Sequence, residues 1–264
     1  MRILLSLTFT AGVFGHDLYL RPRTFRMTPG KAGVVEFHNG ETFPKSQVPP
    51  VLERLRGTKV LYPNGEQPLT GLRILGKAGV GSYKAPESPA FLVVANTEPN
   101  FIELPSQKFE EYLAHESLVS ISEWRKANGE ADKGGREIYS KYVKAILHTG
   151  APDQFVTKPV GQAIEFVPMV DPSSLKPGDR LSVQMLFRGM PAANLHVEAS
   201  SAASAGGAVK HRQLGRTDQA GKIEIPLDVP GMWKLHAILM ERRKDTSKAD
   251  WESYWASLSF ELRQ

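Results

Sequence analysis

His16 follows a short apolar run, Ile3 to Phe14, that begins behind Arg2 and closes on Gly15. A positive charge, a brief apolar stretch and small residues before a cut form the three-part layout of a secretory signal. Val13 and Gly15 occupy the third and first positions before the expected cut, with Gly12 as the competing site. Cleavage at Gly15/His16 would make His16 the first residue of the mature chain, carrying two nitrogen ligands at once. Its α-amine belongs to a class with a pKa of about 7.7–8.0, so a metal displaces that proton near neutral pH. Neutral imidazole suits Cu, Ni and Zn, and one more imidazole would complete a three-nitrogen brace of the kind tetragonal Cu(II) prefers. The competing reading of His16 is an ordinary packed or solvated ring.

Six of the chain's seven histidines remain from which a third ligand could come. His38 shares a strand face with Val34 and Glu36 just before Asn39-Gly40 and is the first candidate; His236, in the strand after Trp233, is the second. Each also has an ordinary reading, as a hairpin residue and as a buried, hydrogen-bonded ring. His148 reads as a cation at a helix C-terminus, and His115, His196 and His211 as solvated residues. No His-x-x-x-His pair is present, which excludes a zincin-type helix. Without a cysteine, thiolate ligands, disulfides and a cysteine nucleophile are excluded too.

No catalytic residue is assigned. The chain lacks a Gly-x-Ser-x-Gly elbow, a Walker loop and a dinucleotide turn, and Thr217-Asp218 reads as turn chemistry. Asp245, Asp250 and Glu252 lack the alternating acids of a calcium loop. Of the aromatic group Trp251, Tyr254 and Trp255, Tyr254 reads as core and Trp255 as the opposite-face ring that would stack a sugar or a partner. The 264 residues carry a formal charge of +5 with no block of like charges, so nucleic acid is not an expected partner. No stretch after residue 15 is apolar enough to span a bilayer as a helix, and a soluble periplasmic or secreted bacterial protein is expected.

These residues must be positioned by a mostly β chain. Residues 16–105 read as an N-terminal β domain, with strands around Val34–His38 and Val60–Tyr62 leading into Asn39-Gly40 and Pro63-Asn64-Gly65 turns. Residues 106–150 read as a helical connector: Ser106 as an N-cap, then Tyr139, Tyr142, Val143 and Ile146 at helical spacing. Residues 151–264 read as a second sandwich of Ig-like or Greek-key type with Val183, Met185, Leu195, Val197, Ile225, Trp233 and Leu258 in its core and a flexible Ser200–Ala208 loop. The expected fold is therefore two β-sandwich domains joined by helices.

The series Gly189-x-Pro191, Leu195, Val197, Ala199, Thr217-Asp218-x-x-Gly221 and Gly231-x-Trp233 resembles the carboxypeptidase regulatory or transthyretin-like sandwich. The ending Glu261-Leu262-Arg263-Gln264 differs from the Tyr-Arg-Gly-Ser of transthyretin-like hydrolases, so that activity is not implied. Across the mature chain, His16-Asp17-Leu18-Tyr19-Leu20, Phe101–Leu104, Tyr139–Lys144 and Asp250–Leu258 resemble the family called domain of unknown function 4198, with Leu18-Tyr19 where many relatives have Phe-Trp. That resemblance implies an exported protein, and for some members a periplasmic role in nickel uptake with an envelope transport partner. The expected function is a non-enzymatic binding protein handling Ni, Cu or Co. A metal-free module binding an envelope protein or carbohydrate is the alternative, and a copper mono-oxygenase the third reading.

Overall fold

A computed structural model describes residues 16–203 and 209–264. The expected signal segment and the 204–208 part of the Ser/Ala/Gly loop lie outside the described residues. The chain runs through β1 (Leu18–Pro22), β2 (Ala32–Asn39), β3 (Leu55–Tyr62), β4 (Gly65–Pro68), β5 (Thr70–Leu75), β6 (Ala78–Lys84), β7 (Ala90–Thr97) and β8 (Asn100–Leu104). Helices α1 (Ser106–His115) and α2 (Val119–Ala127) follow, then β9 (Gly135–His148), β10 (Ile164–Pro168), β11 (Arg180–Phe187) and β12 (Met190–Pro191). The last strands are β13 (His196–Ala202), β14 (Val209–Arg216), β15 (Lys222–Pro226), β16 (Gly231–Arg242) and β17 (Trp251–Leu262).

Nine strands make one central sheet in the order β14-β13-β16-β17-β9-β7-β3-β4, with β8 on the first part of β9. Both of its faces are covered. Alternation along β16 sends Trp233, Leu235 and Ala237 into a core shared with Phe166, Val183 and Ile225 of the β10/β11/β15 sheet. On the other face, β1-β2-β6-β5 packs Leu20, Val35 and Phe37 over Val93, Val143 and Ala145. Beside that sheet, α1 and α2 cover Ile238, Met240, Trp251 and Trp255. The fold is thus a mostly β sandwich. Strands from both sides of the 106–150 segment share its central sheet, and the seven residues expected in the second sandwich's core are buried.

The expected helix at Tyr139–Ile146 is a correction: these residues form the middle of β9. In a strand with both faces covered, the two-residue alternation disappears into a near-continuous apolar run, and Tyr, Val and Ile then coincide with helical spacing as well. Trp255 is corrected too, since the α1/α2 cover buries it with Trp251 and neither ring is presented for stacking. Asn39-Gly40 closes no hairpin, because β2 pairs with β1 and β6 instead. The N-cap of α1 is Pro105, one residue before the expected Ser106.

Helix α1 docks on β9 through a contact without slack. A Cβ at Gly135 would collide with the Phe109 ring. Gly135→Ala is expected to cost about 1–3 kcal/mol by overpacking, and Phe109→Leu in the same chain should return part of it. Urea denaturation midpoints of the two single variants and the double variant check this; an unchanged midpoint for Gly135→Ala would refute the contact.

Candidate functional site

The first three described residues are each held by a different strand of the central sheet. Lys141 of β9 donates to the His16 carbonyl, and Lys234 of β16 donates to the Asp17 carboxylate. Ser257 of β17 donates to the Leu18 carbonyl at 3.0 Å. The Gly40 N–H completes the clamp, donating to the Asp17 carbonyl at 2.9 Å. Strands β9, β16 and β17 are neighbours, so alternation alone places Lys141, Lys234 and Ser257 on one face under the start of β1.

This clamp lies in a buried field of charge. Between Asp17 and Glu116, the His236 ring sits 3.4 Å from a carboxylate oxygen on each side. Burial alone would lower the pKa of His236, but Asp17 and Glu116 outweigh it and raise it, favouring the imidazolium. Burial alone would also raise Asp17, yet His236 and Lys234 bring it down to about 2. Lys141, buried over the Trp255 ring, is pushed down to about 8 by desolvation despite the nearby carboxylates. Glu116 ends α1 and bonds His115 at 3.0 Å, a contact that raises His115 to about 9. Farther along β9, desolvation lifts Glu137 to about 7, against hydrogen bonds from Ser253 and Tyr112 that favour its charged form.

The three candidate metal ligands are not brought together. His38 is opposite Tyr19, stacked on its ring at 5.4 Å, with Nε2 bonded to Glu36 at 3.0 Å. His236 is clasped by Asp17 and Glu116, and His16 lies beside Glu41, Nδ1 to Oε1 3.8 Å. Among the described residues, no group of three His, Asp or Glu side chains is arranged to hold a metal ion. Each ring nevertheless has one buried nitrogen without a hydrogen bond among the described residues: Nδ1 of His16, Nδ1 of His38 and Nε2 of His236. The donor chemistry fits a metal best at His16. His236 would have to give up a proton that two carboxylates stabilise, and His38 is committed to the Glu36 and Tyr19 side of its strand.

His148 is corrected as well: it ends a strand, and its Nε2 meets both Asp171 oxygens at 2.9–3.0 Å. Asp171 also accepts from the Asp153 and Ser173 N–H groups, so the pair pins the chain after β9. Asp17, Glu116, Glu137, Lys141 and Lys234 went unnoticed in the sequence. The available signal was a lysine among aromatic and apolar strand residues, in Tyr139-Ser140-Lys141-Tyr142-Val143 and Trp233-Lys234-Leu235, where an unpaired charge is costly. Asp218 accepts from the Ala220 and Lys222 N–H groups, the turn role expected of it.

A family model described as "Domain of unknown function (DUF4198)" matches residues 13–241. No curated protein matches. Among solved structures, the D0-D1 domain of Intimin is 12% identical, with 95% of this chain and 100% of that one covered at a TM-score of 0.25. A Salmonella alpha-2-macroglobulin mutant is 12% identical, with 93% and 15% covered at 0.25. The Escherichia coli adhesin FdeC is 10% identical, with 91% and 63% covered at 0.24. Likeness this weak carries no inference about this chain.

The buried charges give two opposite pH dependences. Asp17 has a folded pKa of about 2 against an ordinary 3.8, so its contribution is complete above 3.8 and lost as pH falls through 2. Asp17→Asn is expected to cost about 3–5 kcal/mol near neutrality, because Lys234 and His236 lose their charge partner, and to flatten the acid limb. Glu137 is raised from 4.5 to about 7, so its contribution is complete below 4.5 and lost as pH rises through 7. Glu137→Gln should therefore be at least as stable as the parent at about pH 8. Guanidinium denaturation from acid to mild alkali checks both, and identical pH profiles for parent and variants would refute them.

Proposed function

The chain belongs to the DUF4198 family, and from that premise we propose that it is an exported, non-enzymatic binding protein whose mature N-terminal His16 captures a transition metal ion, Cu or Ni. The observation that carries this reading is the fixed position of residue 16. Its carbonyl is tied to Lys141, and its Nδ1 is buried 3.8 Å from Glu41, without a hydrogen bond among the described residues. Cleavage at Gly15/His16 would add an α-amine on the same residue. Amine, imidazole and the Glu41 carboxylate then supply three donors without a third imidazole, so Glu41 replaces His38 and His236 in the set. A prefixed residue lowers the ordering cost of chelation. The reading places the protein in a bacterial periplasm or outside the cell, delivering metal to an envelope transport partner; among the described residues no helix is long and apolar enough to cross a membrane.

A metal-free interaction module is the second reading, favoured by the exposed apolar side chains Leu72, Ile74 and Leu75 on β5, an edge strand. Competition titration with Cu²⁺ separates the two. Protein beginning at His16 should bind at least about tenfold more tightly than protein with one glycine added before it, since the addition moves the amine away. Glu41→Gln should weaken binding and His211→Ala should leave it unchanged. Equal affinity of the mature and extended forms would overturn terminal chelation and leave the interaction module.

A further inference from the structure

At the far end of β1 from His16, a cleft of about 720 Å³ opens between the β1-β2 layer and the ends of β13, β16 and β17. Four cationic side chains, Arg21, Arg23, Arg26 and Lys45, line it against one acid, Glu261. The volume is in the range of small-molecule sites. Its apolar lining includes the buried Phe25 and Met232 at the start of β16. Cations over low-dielectric walls concentrate their field on the cleft.

The three arginines have partners on the protein. Glu36 accepts from Arg23 Nε at 2.9 Å and lies 3.9 Å from Arg21 Nη1, while its other bond goes to His38. One carboxylate thus orients two guanidinium groups without neutralising both, and the terminal nitrogens of Arg23 have no hydrogen-bond partner among the described residues. Arg26 is fixed by donating to the Gly150 carbonyl at 3.0 Å. Lys45 has its backbone carbonyl tied to the Tyr19 hydroxyl, and its ammonium has no ion-pair partner among the described residues. Guanidinium forks match oxyanions in two-point fashion.

We propose that this cleft binds a small multivalent oxyanion, a phosphate ester or polycarboxylate, through Arg21, Arg23 and Lys45. The site is separate from His16 and requires no metal.

Inorganic phosphate and citrate are the probes, titrated into the full mature chain at low salt and followed by amide chemical shifts. Saturable shifts at the cleft are expected, weakening as salt screens the charges. Arg21→Ala/Arg23→Ala should lower affinity at least about tenfold, while Arg180→Ala on the exposed face of β11 leaves it unchanged. Lys45→Glu, on an exposed loop, repeats the test if the double variant fails to fold. Binding of phosphate alone or citrate alone supports the site and fixes the group it reads. No saturable shift with either probe, or equal weakening by Arg180→Ala, would overturn the proposal.

Discussion

Parallel pairing of β17 along β9, from Trp251 opposite Glu137 to Ser259 opposite Ala145, is the constraint on which the other elements depend. A parallel pair cannot be closed by a tight turn. The chain leaves β9, builds the β10/β11/β15 layer and the β13/β14 edge, and returns through the long β16–β17 hairpin to reach β9's free side. On its other side β9 accepts β7 and β8. Once the sheet is continuous across β9, both of its faces must be covered, and the two outer layers and the helices are the means.

Each outer sheet is tied to the central one by a buried lysine meeting a carboxylate from the layer above it. On one face Lys144 of β9 meets Glu165 of β10 at 2.8 Å, and Glu165 also accepts from the Val160 and Gly161 N–H groups. On the other face Lys234 meets Asp17. Buried pairs of this kind contribute little net energy, but a charge left without its partner is costly. Their effect is to specify position: β1 and β10 each have one place on the sheet where the lysine beneath is satisfied. The N-terminal segment is therefore part of the core architecture as well as the candidate binding site.

That double role shapes the reading of function. Before the start of β1, His16 is held among charged side chains; at the other end of the strand, Arg21 and Arg23 line an open cationic cleft. The histidines that would form a three-imidazole brace are instead spent on local partners, His38 on Glu36 and His236 on Asp17 and Glu116. The Glu41 carboxylate, 3.8 Å from His16 Nδ1, shifts the expected donor set from nitrogen alone toward nitrogen and oxygen. Oxygen donors are harder ligands than imidazole and favour a less copper-selective site.

The sequence by itself determined the mostly β class, the family resemblance and the alternating core of the later strands, because Val183, Met185, Val197 and Ile225 lie on strands whose partly solvent-facing sides preserve the two-residue period. It also marked His16, from the chemistry of its position alone. Only the tertiary structure decided that Tyr139–Ile146 is a strand, because double-sided burial erases the period that would have identified it. Likewise, the pairing of Lys234 with Asp17 and the gathering of Arg21, Arg23, Arg26 and Lys45 at one cleft depend on contacts between distant segments. Local pattern records which side chains share a face; which charge lies beneath which layer is fixed only when the sheet closes across β9.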